Sequence, residues 1–273
     1  MLDRFPLLRL GLVSALILFL ELACIRWFAA TVVYLTFFTN VVLLACVLGM
    51  SVGCLAAEKA PRQVWWVLPI GLVAVSMAQG VLSAFRAGRT LAIDVGGQKS
   101  PQEIFFGTES AGGDLASFVV PIEVLATIFF VLIAWMFVGI GQQLGQAFNQ
   151  IGNRVLAYSV NLIGSVLGIL AFTCLSAWQT TPHVWFAIGL AGWLAFLPRL
   201  TWSQVVCQIA LLAVVAISSY GEGTRWTAWS PYYKVEYQPR ARTIITNNIG
   251  HQAMVDVKSS GQAYSLPHLL NRD

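Results

Sequence analysis

Long apolar runs separated by short polar breaks fill the first 219 positions of this chain, and the pattern then changes. Seven runs stand out, near residues 8–29, 33–57, 64–85, 118–147, 155–177, 183–198 and 202–219. A helix needs about 20 mostly apolar residues to cross a bilayer, so the pattern predicts a bundle of about seven membrane helices. The fourth run is long enough to tilt. The sixth and seventh are short and are split by Pro198-Arg199. Beyond Tyr220 the repeat shortens to two. Residues 229–237 read as a first strand with Tyr233, Val235 and Tyr237 on one face and Lys234 and Glu236 on the other. A turn at 238–241, a strand at 243–246, a turn at 247–250 and a third strand at 252–257 follow. The fold class is therefore mainly α, with residues 1–219 forming a membrane bundle and residues 220–273 a three-strand start of a soluble domain. Three strands of this length form no stable core alone, so they need the bundle, a partner or more of a domain to pack on.

Composition agrees with this division. Of 273 residues, 58% are hydrophobic and 10% charged, which a water-soluble domain cannot accommodate. The chain is read as a multi-pass protein of the cell membrane, with the lipid bilayer as its first partner. The net charge of +4 is spread over loops, which excludes the dense basic patch that nucleic acid requires. Cys24, Cys46, Cys54, Cys174 and Cys207 all lie in apolar stretches without a CxxC pair or a nearby histidine. They read as packing residues, and no metal site is expected. The run from Leu10 to Ala30 exceeds a signal-peptide core and holds Glu21 and Arg26, so it reads as a retained helix. Trp65, Trp66, Trp178, Trp185 and Trp202 fall near span ends, where indole rings favour the interface. A long polar loop at about 87–116 carries two Gly-Gly turns and reads as solvated.

Polar groups inside the runs are the candidate chemistry. Glu21 and Arg26 stand about 140° apart around one helix at 3.6 residues per turn, so each should meet a different partner. Pairing or snorkelling is the structural reading and a ligand or transport role the functional one. Glu123 follows Pro121 at a span start, where a carboxylate suits a helix N-terminus. Asn40 and Asn161 are read as interhelical hydrogen-bonding amides. Gly49/Gly53, Gly141/Gly145 and Gly164/Gly168 have the spacing that lets helices approach closely. Gly139-Ile-Gly141 resembles a dinucleotide loop, but no strand precedes it and its third glycine is one position late.

Charge bias favours an inside N-terminus. With the N-terminus inside, inner loops hold Arg4, Arg9, Lys59, Arg62, Arg154 and Arg199, against Arg86, Arg89 and Lys99 outside. Seven spans then place the tail outside; a count different by one, or an outside N-terminus despite the bias, would place it inside, and the sequence leaves these alternatives open.

Several of these segments, taken in order, resemble membrane-bound spermidine synthase-like proteins. Glu21-x4-Arg26, Leu48-Gly-Met-Ser-Val-Gly53 and Ala157-Tyr-Ser-Val-Asn-Leu-Ile-Gly-Ser-Val-Leu-Gly168 look like the helices ahead of that family's catalytic domain. Ser230-Pro-Tyr232 is similar to the opening of the N-terminal strands of polyamine aminopropyltransferases. Asn248-Ile-Gly250-His-Gln252 resembles their second-strand turn, and Tyr264-Ser-Leu-Pro-His268 the segment after it. The resemblance implies a transferase whose Rossmann-like domain binds decarboxylated S-adenosylmethionine or a related nucleoside, with polyamine as acceptor. It would place Gln252 and Tyr264, with His251 beside them, on the nucleoside or polyamine side. The glutamate the family carries after Tyr-His is replaced here by the Leu266-Pro267-His268 region. No glycine-rich loop follows a strand, so the nucleotide domain would be a separate or missing part, no catalytic residue is assigned, and the chain is expected to be inactive alone. Two other classes stay open: a polyamine or small-molecule transporter or channel built on Glu21, Arg26 and Glu123 with a regulatory tail, and a pure membrane anchor or scaffold.

Overall fold

The computed structural model describes residues 5–58, 61–87, 91–94, 118–219 and 226–254. Seven α-helices lie among them: α1 (Pro6–Thr31), α2 (Thr39–Leu55), α3 (Val67–Arg86), α4 (Ile122–Asn149), α5 (Arg154–Ala177), α6 (Pro182–Leu194) and α7 (Trp202–Ser219). Five apolar helical stretches are long enough to cross a membrane: α1, α3 with its lead-in from Gln63, α4, α5 and α7. Neither α2, whose apolar stretch is Asn40–Leu55, nor the 13-residue α6 reaches that length.

Local chemistry sets the boundaries. Proline at the start of α1 and of α6 contributes no amide that would lack a helical partner. Asn153 caps α5, its side chain accepting from the Leu156 amide at 3.1 Å. The second apolar run does not form one helix from residue 33. A 3₁₀ turn, Leu35–Phe38, intervenes, and Tyr34 before it has a φ of 64°. A second 3₁₀ turn, Pro61–Trp66, leads into α3. The fourth run likewise begins with a strand rather than a helix.

The tightest packing follows the glycine pairs. Gly49 and Gly53 of α2 meet Ala134, Val138 and Gly141 of α4, while Gly145 meets Cys54 and Ala57. Gly164 and Gly168 of α5 sit on the backbone of Gly11 and Ala15 of α1. In each case a Cβ would strike the facing main chain, so the helices touch backbone to backbone. The Ser14 hydroxyl donates to Asn161 Oδ1 at 2.7 Å, which makes Asn161 the interhelical amide its position suggested. The core between helices is aromatic, with Trp27, Phe28, Phe129, Phe137, Trp185 and Trp193 all fully buried.

Two small sheets lie with the bundle. β1 (Ala92–Asp94) pairs in parallel with β2 (Val119–Pro121). Ile93 is buried there with Val33, Tyr34, Leu82, Ile122 and Leu125. Most of the 87–116 loop lies outside the described residues. The C-terminal sheet has four antiparallel strands in sequence order, β3 (Trp226–Trp229), β4 (Lys234–Gln238), β5 (Thr243–Thr246) and β6 (Ile249–Ala253). The segment expected as a single first strand is a hairpin, because Ser230-Pro-Tyr-Tyr233 reverses the chain. The Ser230 hydroxyl closes that turn by accepting from the Tyr233 amide at 2.9 Å. The last turn is also tighter than expected. Asn247 and Asn248 both have positive φ, 49° and 67°, and Thr246 pairs with Ile249. This is the two-residue turn whose twist matches a hairpin, and asparagine tolerates it. The last strand therefore begins at Ile249 rather than at residue 252.

Candidate functional site

The polar side chains of the C-terminal sheet turn toward the bundle. Alternation in β4 does separate Tyr233, Val235 and Tyr237 from Lys234 and Glu236, but the charged face is the buried one. Lys234 is 3% and Glu236 2% exposed, whereas Tyr233 is 54% exposed. On the same outer face, Trp226 of β3 pairs with Tyr237, and Tyr237 with Ile244 of β5. The charged pair thus faces the bundle together with Trp229, and Trp226, Tyr233 and Tyr237 lie on the other face.

Two clusters hold it to the helices. In the first, Arg86 at the end of α3 donates to both Glu236 oxygens, at 2.9 and 3.2 Å, and to Asn248 Oδ1 at 3.1 Å. Lys234 Nζ lies 2.7 Å from Glu236 Oε1. Burial by itself would raise the Glu236 carboxyl, but Lys234 and Arg86 outweigh it and hold the group below its ordinary value. The two asparagines of the turn complete this cluster. Asn247 accepts from the Lys234 amide at 3.0 Å and donates to Thr36 at 3.2 Å. Asn248 donates to the carbonyls of Ala30 and Thr31 at 2.7 and 3.3 Å.

The second cluster centres on Arg26. Its guanidinium stacks on Trp185 at 4.5 Å and lies 6.0 Å from the Trp229 ring. It donates to the Ser176 hydroxyl and to the Ser230 carbonyl. Ser176 in turn donates to the Pro231 carbonyl at 2.9 Å. Trp185, expected at the membrane interface, is instead fully buried, since Trp229 meets it edge-on at 5.4 Å. Arg26 does not snorkel alone; the tail is its partner. Arg86, read as a loop cation, ends α3 and lies under the sheet.

The three charged residues singled out within the runs do not converge. Glu21 is buried beside Cys24 and Cys46 and makes no hydrogen bond or ion pair among the described residues. Glu123 is exposed in the first turn of α4, as its helix-start position predicts. Arg9, assigned to an inner loop, is buried within α1 and donates to Gln143 Oε1 at 2.9 Å. His251 and Gln252 are exposed on β6, and Tyr264 lies outside the described residues. All five cysteines are free, and no group of metal-binding side chains occurs among the described residues. The cavity at the bundle centre, of about 20 Å³, is walled by apolar residues including Leu20, Phe28, Ile140 and Trp193.

Sequence reasoning misses the junction as a site. No motif or spacing marks Lys234, Glu236, Asn247, Asn248, Ser176 or Trp229 as part of it. The signal that could have found it is a Lys-x-Glu pair on one face of a strand whose other face is aromatic. Compared with protein-family models, with curated proteins and with solved structures, the chain matches none.

Proposed function

We propose that this chain is a seven-pass membrane platform that carries the first β-layer of a spermidine synthase-like transferase. The observation that carries the reading is the inverted sheet. Its inner face, with Lys234, Glu236 and Trp229, is bound to the bundle through Arg26, Arg86 and the asparagine turn, and Trp226, Tyr233 and Tyr237 lie on the outer face. An antiparallel sheet with one apolar face is built to receive a second layer. In this reading that layer is the nucleoside-binding domain, and Gln252 and Tyr264 lie on its substrate side. The chain itself supplies anchoring and orientation. Alternating helix direction supports seven passes: Asn149 at the end of α4 donates to Glu58 just past α2, and Gln204 in α7 donates to the Trp65 carbonyl just before α3. With seven passes, the charge bias favours the non-cytoplasmic side for the sheet.

The test uses native membranes carrying the full gene product. A photoactivatable 5′-thioadenosine probe should label residues 226–254, and Gln252→Ala should weaken the labelling. Polyamine uptake into vesicles that survives loss of the sheet and disappears in Glu21→Gln, with no nucleoside labelling, would overturn the reading in favour of a transporter.

A further inference from the structure

We infer that the tip of the β3–β4 hairpin, Pro231–Tyr233, is a membrane-interface anchor whose partner is the headgroup region of the bilayer. This rests on the reading of the helices as membrane spans.

Position comes first. Carbonyls at the start of the tip are bonded to helix side chains, Ser230 just before it to Arg26 and Pro231 within it to Ser176. Ser176 is one residue from the end of α5, so the tip lies level with that helix end. Arg26 is five residues short of the end of α1, about 7.5 Å along the axis at 1.5 Å per residue. From there the Arg26 side chain reaches the Ser230 carbonyl just before the tip.

Surroundings come second. α5 is the least enclosed of the long helices, with 22% of its apolar window buried. Leu162, Ile163, Val166, Leu167 and Leu170 are exposed along it, a surface suited to acyl chains. The tip meets α5 at Ser176, which continues the buried stripe of Gly164, Gly168 and Phe172 beside this surface, and aromatic residues are exposed at this end of the helix. Tyr232 is 79% exposed, and Trp178, just past the end of α5, is 75% exposed. Tyrosine and tryptophan at a span end, with an apolar ring and a polar tip, match the headgroup layer. A solvated turn would have no need of two adjacent tyrosines, since Ser230 and Pro231 already supply its geometry.

The experiment is depth measurement by spin label on the full chain in phosphatidylcholine liposomes. Cys54, Cys174 and Cys207 are replaced by alanine, and single cysteines are introduced as Tyr232→Cys, Arg240→Cys and Ile163→Cys. Arg240 lies exposed in the β4–β5 turn, and Ile163 lies mid-way along α5. The ratio of oxygen to nickel-chelate collisions should rank Ile163 above Tyr232 and Tyr232 several-fold above Arg240. Equal ratios at 232 and 240 would place the tip in water and overturn the inference while leaving the spans intact. A label at 232 shielded from both reagents would mean a protein contact and also overturn it. A water-like ratio at Ile163 would overturn the membrane reading and the anchor together.

Discussion

The amide of Asn248 lies 2.7 Å from the carbonyl oxygen of Ala30, 218 positions earlier in the chain. Ala30 is in the last turn of α1, where carbonyls have no helical donor left. A β-turn therefore caps a long apolar helix, and it does so with a residue whose positive φ the turn also requires. One side chain sets the hairpin geometry, closes the helix and accepts from Arg86.

Substitution at this position should separate those roles. Asn248→Gly keeps the backbone conformation and removes the three hydrogen bonds, at a cost of about 1–3 kcal/mol. Asn248→Val also disfavours the turn, since a β-branched residue resists positive φ. Amide exchange across residues 234–253 should accelerate in both, more in the valine variant, while α4 and α2 stay protected. Unchanged exchange in the glycine variant would show that the sheet is held elsewhere.

Acid should release the sheet. The Glu236 carboxyl is held below its ordinary value in the folded protein. A lowered carboxylate contributes stability that is present above the unfolded pKa, about 4.3, and is lost as pH falls through the folded value. Exchange of the sheet amides, corrected for intrinsic rate, should therefore rise as pH drops below about 4. Glu236→Gln should abolish that acid step. It should also loosen the sheet at neutral pH by about 3–5 kcal/mol, because the buried ion pairs of Glu236 with Lys234 and Arg86 are broken.

The bundle is legible in the sequence and the junction is not, for a physical reason. Apolar run length marks a long apolar helix directly, so α5 and α7 fall nearly at their observed ends. Close helix contacts are legible too, because glycine at four-residue spacing weakens an apolar helix unless a neighbouring backbone fills the space it leaves. The alternation of 233–237 identifies two faces, but which face is buried depends on what lies beneath it. Periodicity alone favours the apolar face as the packing face. The ends of helices offer bare carbonyls, Arg26 and Arg86 beside the Trp185 ring, and these select the face that carries Lys234, Glu236 and Trp229. Helix ends carry no periodic signal from which these partners could be inferred. Tyr220 marks the boundary between regions, while the partners of the sheet lie as far back as residue 26.

Glycines that touch backbone should behave unlike those that do not. A Cβ at Gly53 would strike the Val138 carbonyl and the Gly141 main chain, whereas one at Gly80 would meet nothing within 4 Å. Gly53→Ala should push α2 from α4 and destabilise by about 1–3 kcal/mol, the range for overpacking. Gly80→Ala, in the middle of α3, should stabilise by about 0.5–1 kcal/mol through helix propensity. Thermal unfolding midpoints in detergent should move in opposite directions. A shared direction would mean that the α2–α4 contact is looser than these distances require.

Arg26 should resist replacement by another cation. Its planar guanidinium lies over Trp185 while reaching two oxygens on different elements, the Ser176 hydroxyl and the Ser230 carbonyl. A lysine ammonium is a point charge on a flexible stem and lacks the plane needed for this geometry. Arg26→Lys should keep the positive charge and still loosen the hairpin by about 2 kcal/mol, seen as roughly 30-fold faster exchange of the β3 and β4 amides. Arg26→Gln should be worse, because the stacked cation goes as well. Thr243–Thr246 in β5, held by the other cluster through the asparagine turn, should be affected less in both variants. Equal protection in Arg26→Lys and the parent would mean that charge alone secures the sheet, whereas loss confined to β3 and β4 would show that the shape of the guanidinium does.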